Sequence, residues 1–198
     1  MIKIHGANQI KIAKSKKKLT IFLDLDGVLA DWLKSACSVC GIDENESEVK
    51  RKLKQGIHLE KIGKISEEEL WKKIDAKETN FWENLEKLPW ADDLVKACND
   101  LGDMYFLTSS GDCVYACTGK AIWIKKYYPE YLNRLIIFRE KEVLANKNTI
   151  LVDDSESKIT KFQKAGGYVF HWPNQYKIEE DNNIYEIFEN LKKKVNCI

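Results

Sequence analysis

Arginine is nearly missing from this chain: 3 of its 32 basic residues are Arg and the other 29 are Lys. The guanidinium fork is the preferred reader of phosphates and base edges, so its scarcity argues against sequence-specific DNA binding. Long apolar runs are absent as well. The longest are stretches such as Leu135-Ile136-Ile137-Phe138, far short of the roughly 18 to 20 residues of a membrane span. The first lysines are followed by no hydrophobic h-region, so no secretory signal is expected. Six cysteines in 198 residues are too few for a disulfide scaffold, and a reducing, cytoplasmic setting is expected.

What is present supports a packed core. The chain of 23.0 kDa is 44% hydrophobic and 32% charged, which suits one domain with an inserted subdomain and excludes a disordered chain. The net charge of +1 hides an asymmetry: residues 1–18 hold six lysines and no acid, leaving −5 for the rest. A slightly acidic body does not suit a nucleic-acid clamp. The basic segment 1–18 reads as a solvated arm, with Ile2-Lys3-Ile4 and Ile10-Lys11-Ile12 flanking a Gly/Asn turn as a small hairpin.

Leu19 to Asp24 is a continuous apolar run ending on acid, which predicts a buried central strand. A helix is expected from about Asp31 to Cys40, stopped by Gly41. Short amphipathic helices should follow over 43–87, one of them opened by a capping box at Ser66-Glu67-Glu68-Glu69. Beyond Pro89, Leu94, Val95, Cys98 and Leu101 share a helical face. Further strands are expected at Met104–Leu107, Leu135–Phe138, Thr149–Val152 and Tyr168–Trp172, and helices near 115–128, from Ser155 to about 165, and around 184–191. This alternation predicts an α/β fold, a Rossmann-like doubly wound parallel sheet. Asp24 and Thr108 are far further apart than the roughly 30 residues of a βαβ crossover. The surplus predicts a small helical cap over 31–88, inserted after the first strand, with 19–30 and 89–198 forming the core.

Three strands end in acid or hydroxyl: Asp24-Leu25-Asp26, Thr108-Ser109 and Asp153-Asp154, while Lys141 follows the strand at 135–138. On a shared carboxyl edge these make one site. Clustered carboxylates need a cation, and an all-oxygen set with open positions favours Mg²⁺. Hydroxyls and a lysine nearby supply donors to a phosphate.

Those segments resemble the haloacid dehalogenase superfamily: Phe22-Leu-Asp24-Leu-Asp26-Gly27-Val28-Leu29 its first motif, Leu107-Thr108-Ser109 the second, Lys141 the third, and Leu151-Val152-Asp153-Asp154 the fourth. A closer resemblance is to the 5′(3′)-deoxyribonucleotidases, through Asp24-Leu-Asp-Gly-Val-Leu-Ala-Asp31-Trp32, Asn80-Phe81-Trp82, Leu88-Pro89, Lys120-Ala-Ile-Trp123 and Arg139-Glu-Lys141. Ser110 departs from the family's proline, and the N-terminal part of the cap does not match. The resemblance implies Asp24 as nucleophile, Asp26 as acid–base and Lys141 beside Asp24 and the phosphate. It implies Mg²⁺ on the Asp24 side chain, the Asp26 carbonyl and Asp154, with Asp153 adjacent. Thr108, Ser109 and Lys120 would hold phosphate, and a nucleoside monophosphate would be the substrate.

Taken singly, each feature has a plainer reading: Asp24 and Asp26 as strand-end caps, Thr108-Ser109 as a turn, Asp153-Asp154-Ser155 as a helix N-cap, and Lys120 and Lys141 as surface lysines. Their joint occurrence carries the reading. Trp71, Phe81, Trp82 and Trp90 serve equally as core of a miniature cap or as a wall for a nucleobase, with Trp71, Phe81 and Trp82 the stacking candidates. Cys37-Ser-Val-Cys40 ends a helix, where the dipole disfavours thiolate, and no second pair completes a zinc site. These cysteines, with Cys113 and Cys117, read as small hydrophobes. His5, His58 and His171 lack ligand spacing. Competing substrates are another small monoester or a nucleic-acid 3′-phosphate end. The competing class is a binding module without turnover, against which Asp24, Asp26, Lys141 and Asp154 together argue.

Overall fold

The computed structural model describes residues 19–111, 113–181 and 183–198. The expected hairpin and basic arm at 1–18 lie outside the described residues. Five parallel strands stand in the order β3-β2-β1-β4-β5: β1 (Thr20–Leu23), β2 (Asp103–Thr108), β3 (Leu135–Ile137), β4 (Thr149–Asp153) and β5 (Tyr168–His171). β1 is central, with Phe22 opposite Tyr105 of β2 and Leu151 of β4.

Alternation along these strands divides the core. Ile21, Leu23, Ile150 and Val152 join one large apolar cluster, whereas Phe22, Leu107 and Leu151 join a smaller one with Ile159 and Phe162. Successive strand residues point to opposite faces, so helices are needed on both. Ten helices supply them: α1 (Trp32–Cys40), α2 (Ser47–Lys54), α3 (Leu59–Gly63), α4 (Glu67–Asp75), α5 (Thr79–Glu83), α6 (Ala91–Leu101), α7 (Val114–Tyr127), α8 (Glu156–Lys164), α9 (Gln175–Asp181) and α10 (Ile184–Asn196), as described. α8 closes the smaller face through Ile159 and Phe162. Leu94, Val95 and Cys98 of α6, Trp123 of α7, and Ile187 and Leu191 of α10 close the larger. The expected doubly wound α/β architecture is the one observed.

Helices α1–α5 all lie between β1 and α6. The chain departs and returns beside itself: Asp31 N–H donates to the Glu86 carbonyl, and Leu88 N–H to that of Leu29. Trp90 Nε1 donates to the Val28 carbonyl at 2.9 Å and Trp123 Nε1 to that of Leu85 at 2.8 Å, bracing both sides of this neck. Asp31 caps α1, accepting from Lys34 N, and Gly41 ends it in the left-handed conformation. Ser66 caps α4 by accepting from Glu69 N. Ser155 differs from expectation. It precedes α8, but its side chain makes no capping bond, and its own N–H donates to Asp153 Oδ1 instead.

Candidate active site at the carboxyl edge of the sheet

β1 ends at Leu23, and Asp24 is the next residue, still anchored by its N–H on the Val152 carbonyl. The strand does not run on through Leu25 to Asp26. The N–H groups of Val28, Leu29 and Ala30 all turn back to the Leu25 carbonyl, and a bridge joins Asp26 to Ala30. Gly27 makes this turn possible. Its φ is +75°, and a Cβ there would collide with Asp154 Oδ2. The group that approaches this glycine is therefore the Asp154 carboxylate.

The turn sends the two acids to different lysines. Asp24, 2% exposed, lies 2.7 Å through Oδ1 from the ammonium of Lys141, itself 1% exposed. Lys141 follows β3 in a short 3₁₀ turn over Lys141–Leu144 and also donates to Asp153 Oδ2 at 2.7 Å. Asp26 accepts instead from Lys120 of α7, through Oδ2 at 2.5 Å. The Lys120 ammonium is 1% exposed and donates also to Thr108 Oγ1 at 3.0 Å and the Ser109 carbonyl at 2.5 Å. An ammonium has three protons, and these partners take all three. Here Lys120 ties Asp26 to the end of β2.

Electrostatics distinguishes the acids further. Burial alone would raise the Asp24 carboxyl, but Lys141, Lys158 and Lys120 hold it down at about 2. Asp154 has no ion-pair partner within bonding distance among the described residues; the residue as a whole is exposed, yet desolvation on the side of its carboxyl that faces the sheet edge, and then the charges of Asp24 and Asp153, push it upward. Asp153 is fully buried and also raised, by burial and then by Asp24, against the pull of Lys141. Lys158, one helical turn beyond Asp154 on α8, was not among the expected residues. Burial would depress its ammonium, but Asp24, Asp153, Asp26 and Asp154 together raise it. Its spacing from Asp154 on a predicted helix was the available signal. His171 adds a brace, its Nε2 lying 2.9 Å from the Asp154 carbonyl.

Asp24, Asp153 and Asp154 each offer an oxygen within 4.8 Å of the others. Carboxylate oxygens crowded to that distance, one of them pushed far above its ordinary range, suit a hard divalent cation. Both Asp153 oxygens are already bonded, Oδ2 by Lys141 and Oδ1 by Ser155 N–H. The ligand set best suited to face a substrate is therefore Asp24 and Asp154.

Of the three rings expected at the substrate, the structure leaves Trp71 open. It is 38% exposed and lies 6.0 Å from Trp32, the ring that follows the α1 cap. Phe81 and Trp82 are 6% and 3% exposed and pack edge to face on each other at 5.0 Å. They belong to the packed interior between α5 and α7. The cysteines behave as small hydrophobes should: Cys37 and Cys98 are buried, and no disulfide joins any of the described cysteines.

The model of one protein family, described as 5′ nucleotidase, deoxy (Pyrimidine), cytosolic type C protein, matches residues 17–190. A Staphylococcus epidermidis protein assigned as a 5′(3′)-deoxyribonucleotidase is 28% identical over 145 residues, covering 72% of this chain and 78% of that one. The human cytosolic-type 5′(3′)-deoxyribonucleotidase is 27% identical over 150 residues, covering 71% and 73%. Among solved structures, a hydrolase from Streptococcus pneumoniae aligns with a TM-score of 0.50 at 14% identity, covering 84% of this chain and 99% of that one. A haloacid dehalogenase-type hydrolase from Bacillus subtilis, bound to magnesium, aligns with a TM-score of 0.50 at 14% identity, covering 85% and 100%. At such identities the structures speak for the fold alone.

Proposed function

The chain belongs to the deoxy (pyrimidine), cytosolic type C 5′ nucleotidase family, a phosphomonoesterase branch of the haloacid dehalogenase superfamily, and on that premise we propose that it hydrolyses deoxyribonucleoside monophosphates by a magnesium-dependent route through an aspartyl-phosphate on Asp24. The observation that carries this reading is the division of labour at the sheet edge. Asp24 is held ionised by the Lys141 ammonium 2.7 Å from its Oδ1, whereas Asp26 accepts through Oδ2 from Lys120; the Oδ1 of each is buried without a hydrogen-bond partner among the described residues.

An ionised Asp24 can attack phosphorus, forming the P–O bond of an aspartyl-phosphate as the ester bond to the leaving oxygen breaks. Asp26 in its acid form gives its proton to that oxygen. As a carboxylate it then takes a proton from the water that attacks the phospho-enzyme, releasing phosphate and restoring Asp24. Thr108 Oγ1 accepts from Lys120, which leaves its own proton free for a phosphate oxygen. Ser109 Oγ accepts from Gly111 N–H at 3.4 Å and can donate likewise. Mg²⁺ would sit on the side chains of Asp24 and Asp154 and the Asp26 backbone carbonyl, with Asp153 behind, neutralising charge on the transferring group.

Selectivity would come from the segment 31–88 acting as a cap, since the motifs grip features shared by every monoester. Trp71, exposed beside Trp32, is the ring we assign to stacking on a base, at about 1–3 kcal/mol. The test is a panel of 5′- and 3′-monophosphates of deoxyribo- and ribonucleosides, assayed for released phosphate with Mg²⁺ and with chelator. Pyrimidine deoxyribonucleotides should be preferred and chelator should abolish turnover. A sugar phosphate and a 3′-phosphorylated oligonucleotide complete the panel, and preference for either would overturn the substrate assignment.

A further inference from the structure

Lys120 spends its three protons on Asp26 Oδ2, Thr108 Oγ1 and the Ser109 carbonyl, and the fourth bond of its nitrogen runs to its own Cε, but hydrogen bonds do not account for the neighbour that the head meets on α5. There the ammonium lies 4.9 Å from the centroid of the Trp82 ring. A cation above an indole face is attracted by the ring quadrupole, most strongly where water is excluded, and both side chains are almost fully buried. Trp82 is itself tightly placed. α5 lies so close to α7 that a Cβ on Gly119 would collide with the Trp82 Cβ, and would stand 3.0 Å from the Thr79 carbonyl oxygen and 3.2 Å from Glu83 N. Phe81 packs against the same ring at 78°. The indole N–H has no hydrogen-bond partner among the described residues, so packing and the cation hold the ring.

We propose that Trp82 is a positioning residue for Asp26: carried by α5, its ring fixes the Lys120 ammonium, and Lys120 fixes the carboxylate that handles the leaving-group proton. This rests on the acid–base role proposed above for Asp26. A ring 3% exposed, with Lys120 over it and Phe81 packed against it, is not a stacking wall for a base. It instead makes the helices between β1 and β2 part of the catalytic apparatus, because the seat of α5 on Gly119 is transmitted through two contacts to Asp26. Without the ring, the ammonium loses one of four constraints and Asp26 loses its fixed direction toward the ester oxygen.

The proton matters in proportion to how poor the leaving group is. The full chain is compared with Trp82→Leu on three substrates: thymidine 5′-monophosphate, deoxyribose 5-phosphate, which is an alkyl ester without a base, and p-nitrophenyl phosphate, whose phenolate departs with little help. The readout is kcat/KM, which covers steps through departure of the leaving group. Both alkyl esters should fall about tenfold, mainly in kcat, and the aryl ester about twofold. Trp82→Phe, a weaker quadrupole of similar shape, should fall between, and its effect should vanish in a Lys120→Met background. Equal loss on all three substrates, loss confined to the nucleotide, or additivity of Trp82→Phe with Lys120→Met would overturn the inference. Absence of turnover by the unmodified chain on every substrate would overturn the acid–base reading with it.

Discussion

Two carboxylates two residues apart, Asp24 and Asp26, are separated in role by the lysine each one meets. Asp24 sits at about 2 in a nest of three ammonium groups, so it is ionised throughout the working range. Asp24→Asn should reduce turnover by on the order of 10³ or more, because the amide cannot attack phosphorus. The fold should survive, since Lys141 keeps Asp153 and the acidic crowd loses one charge. Circular dichroism and thermal melting check the second point. Turnover within tenfold of the unmodified chain would sink the covalent route. The cysteines yield a prediction of opposite sign. Burial pushes the thiols of Cys37 and Cys98 up to about 12, so the thiolate is scarce at any pH up to about 10. A disulfide-exchange reagent at pH 8 should modify exposed Cys197 and leave Cys37 and Cys98 silent until denaturant is added. Reaction of Cys37 in the native chain would contradict its reading as a core residue.

Among the elements, α4 and α5 show how similar aromatic residues take different work. α4 is opened by the Ser66 cap and buries Leu70 and Ile74, which leaves Trp71 on the outward face beside Trp32. α5 is five residues long and packs on α7 at a glycine, which drives Phe81 and Trp82 inward. Trp71→Ala should therefore raise KM for a nucleotide about tenfold to a hundredfold and leave p-nitrophenyl phosphate nearly unchanged. Phe81→Ala should instead lower stability by about 3–5 kcal/mol and reduce both activities in parallel with the folded fraction. Steady-state kinetics beside denaturant melts separates the two. Parallel loss of both substrates in Trp71→Ala would return that ring to the packed interior. The turn from Asp24 to Ala30 belongs to this scale too: three N–H groups converge on one carbonyl, and that tight closure is what parts Asp26 from Asp24.

For the molecule as a whole, the carboxyl edge stores unfavourable charge that a cation would relieve. On the proposed function Mg²⁺ would bind the folded edge and not the dispersed acids of the unfolded chain, so it should stabilise as well as activate. At about a hundred times its dissociation constant the gain is about 2.7 kcal/mol, several degrees in Tm for a chain of this size. Asp154→Ala should abolish most of that shift while leaving the metal-free Tm unchanged or raised. A metal-independent Tm in the unmodified chain would count against the site. No helix among the described residues is long and apolar enough to cross a membrane. Local pattern determined much of this protein: the apolar runs placed all five strands to within one or two residues, and Asp24, Thr108, Lys141 and Asp153 stood out because polar groups that end or follow apolar strands gather at one edge of the sheet. Those readings depend on neighbours in the chain, which sequence displays. The tertiary structure alone decided that β1 stands between β2 and β4, that Lys120 meets Asp26 across 94 residues, that Lys158 faces the acids, and that Trp71 is open while Trp82 is shut. Each of these depends on which surfaces the helices cover once packed. Burial and the pairing of charges inside it are properties of the assembled core rather than of any segment.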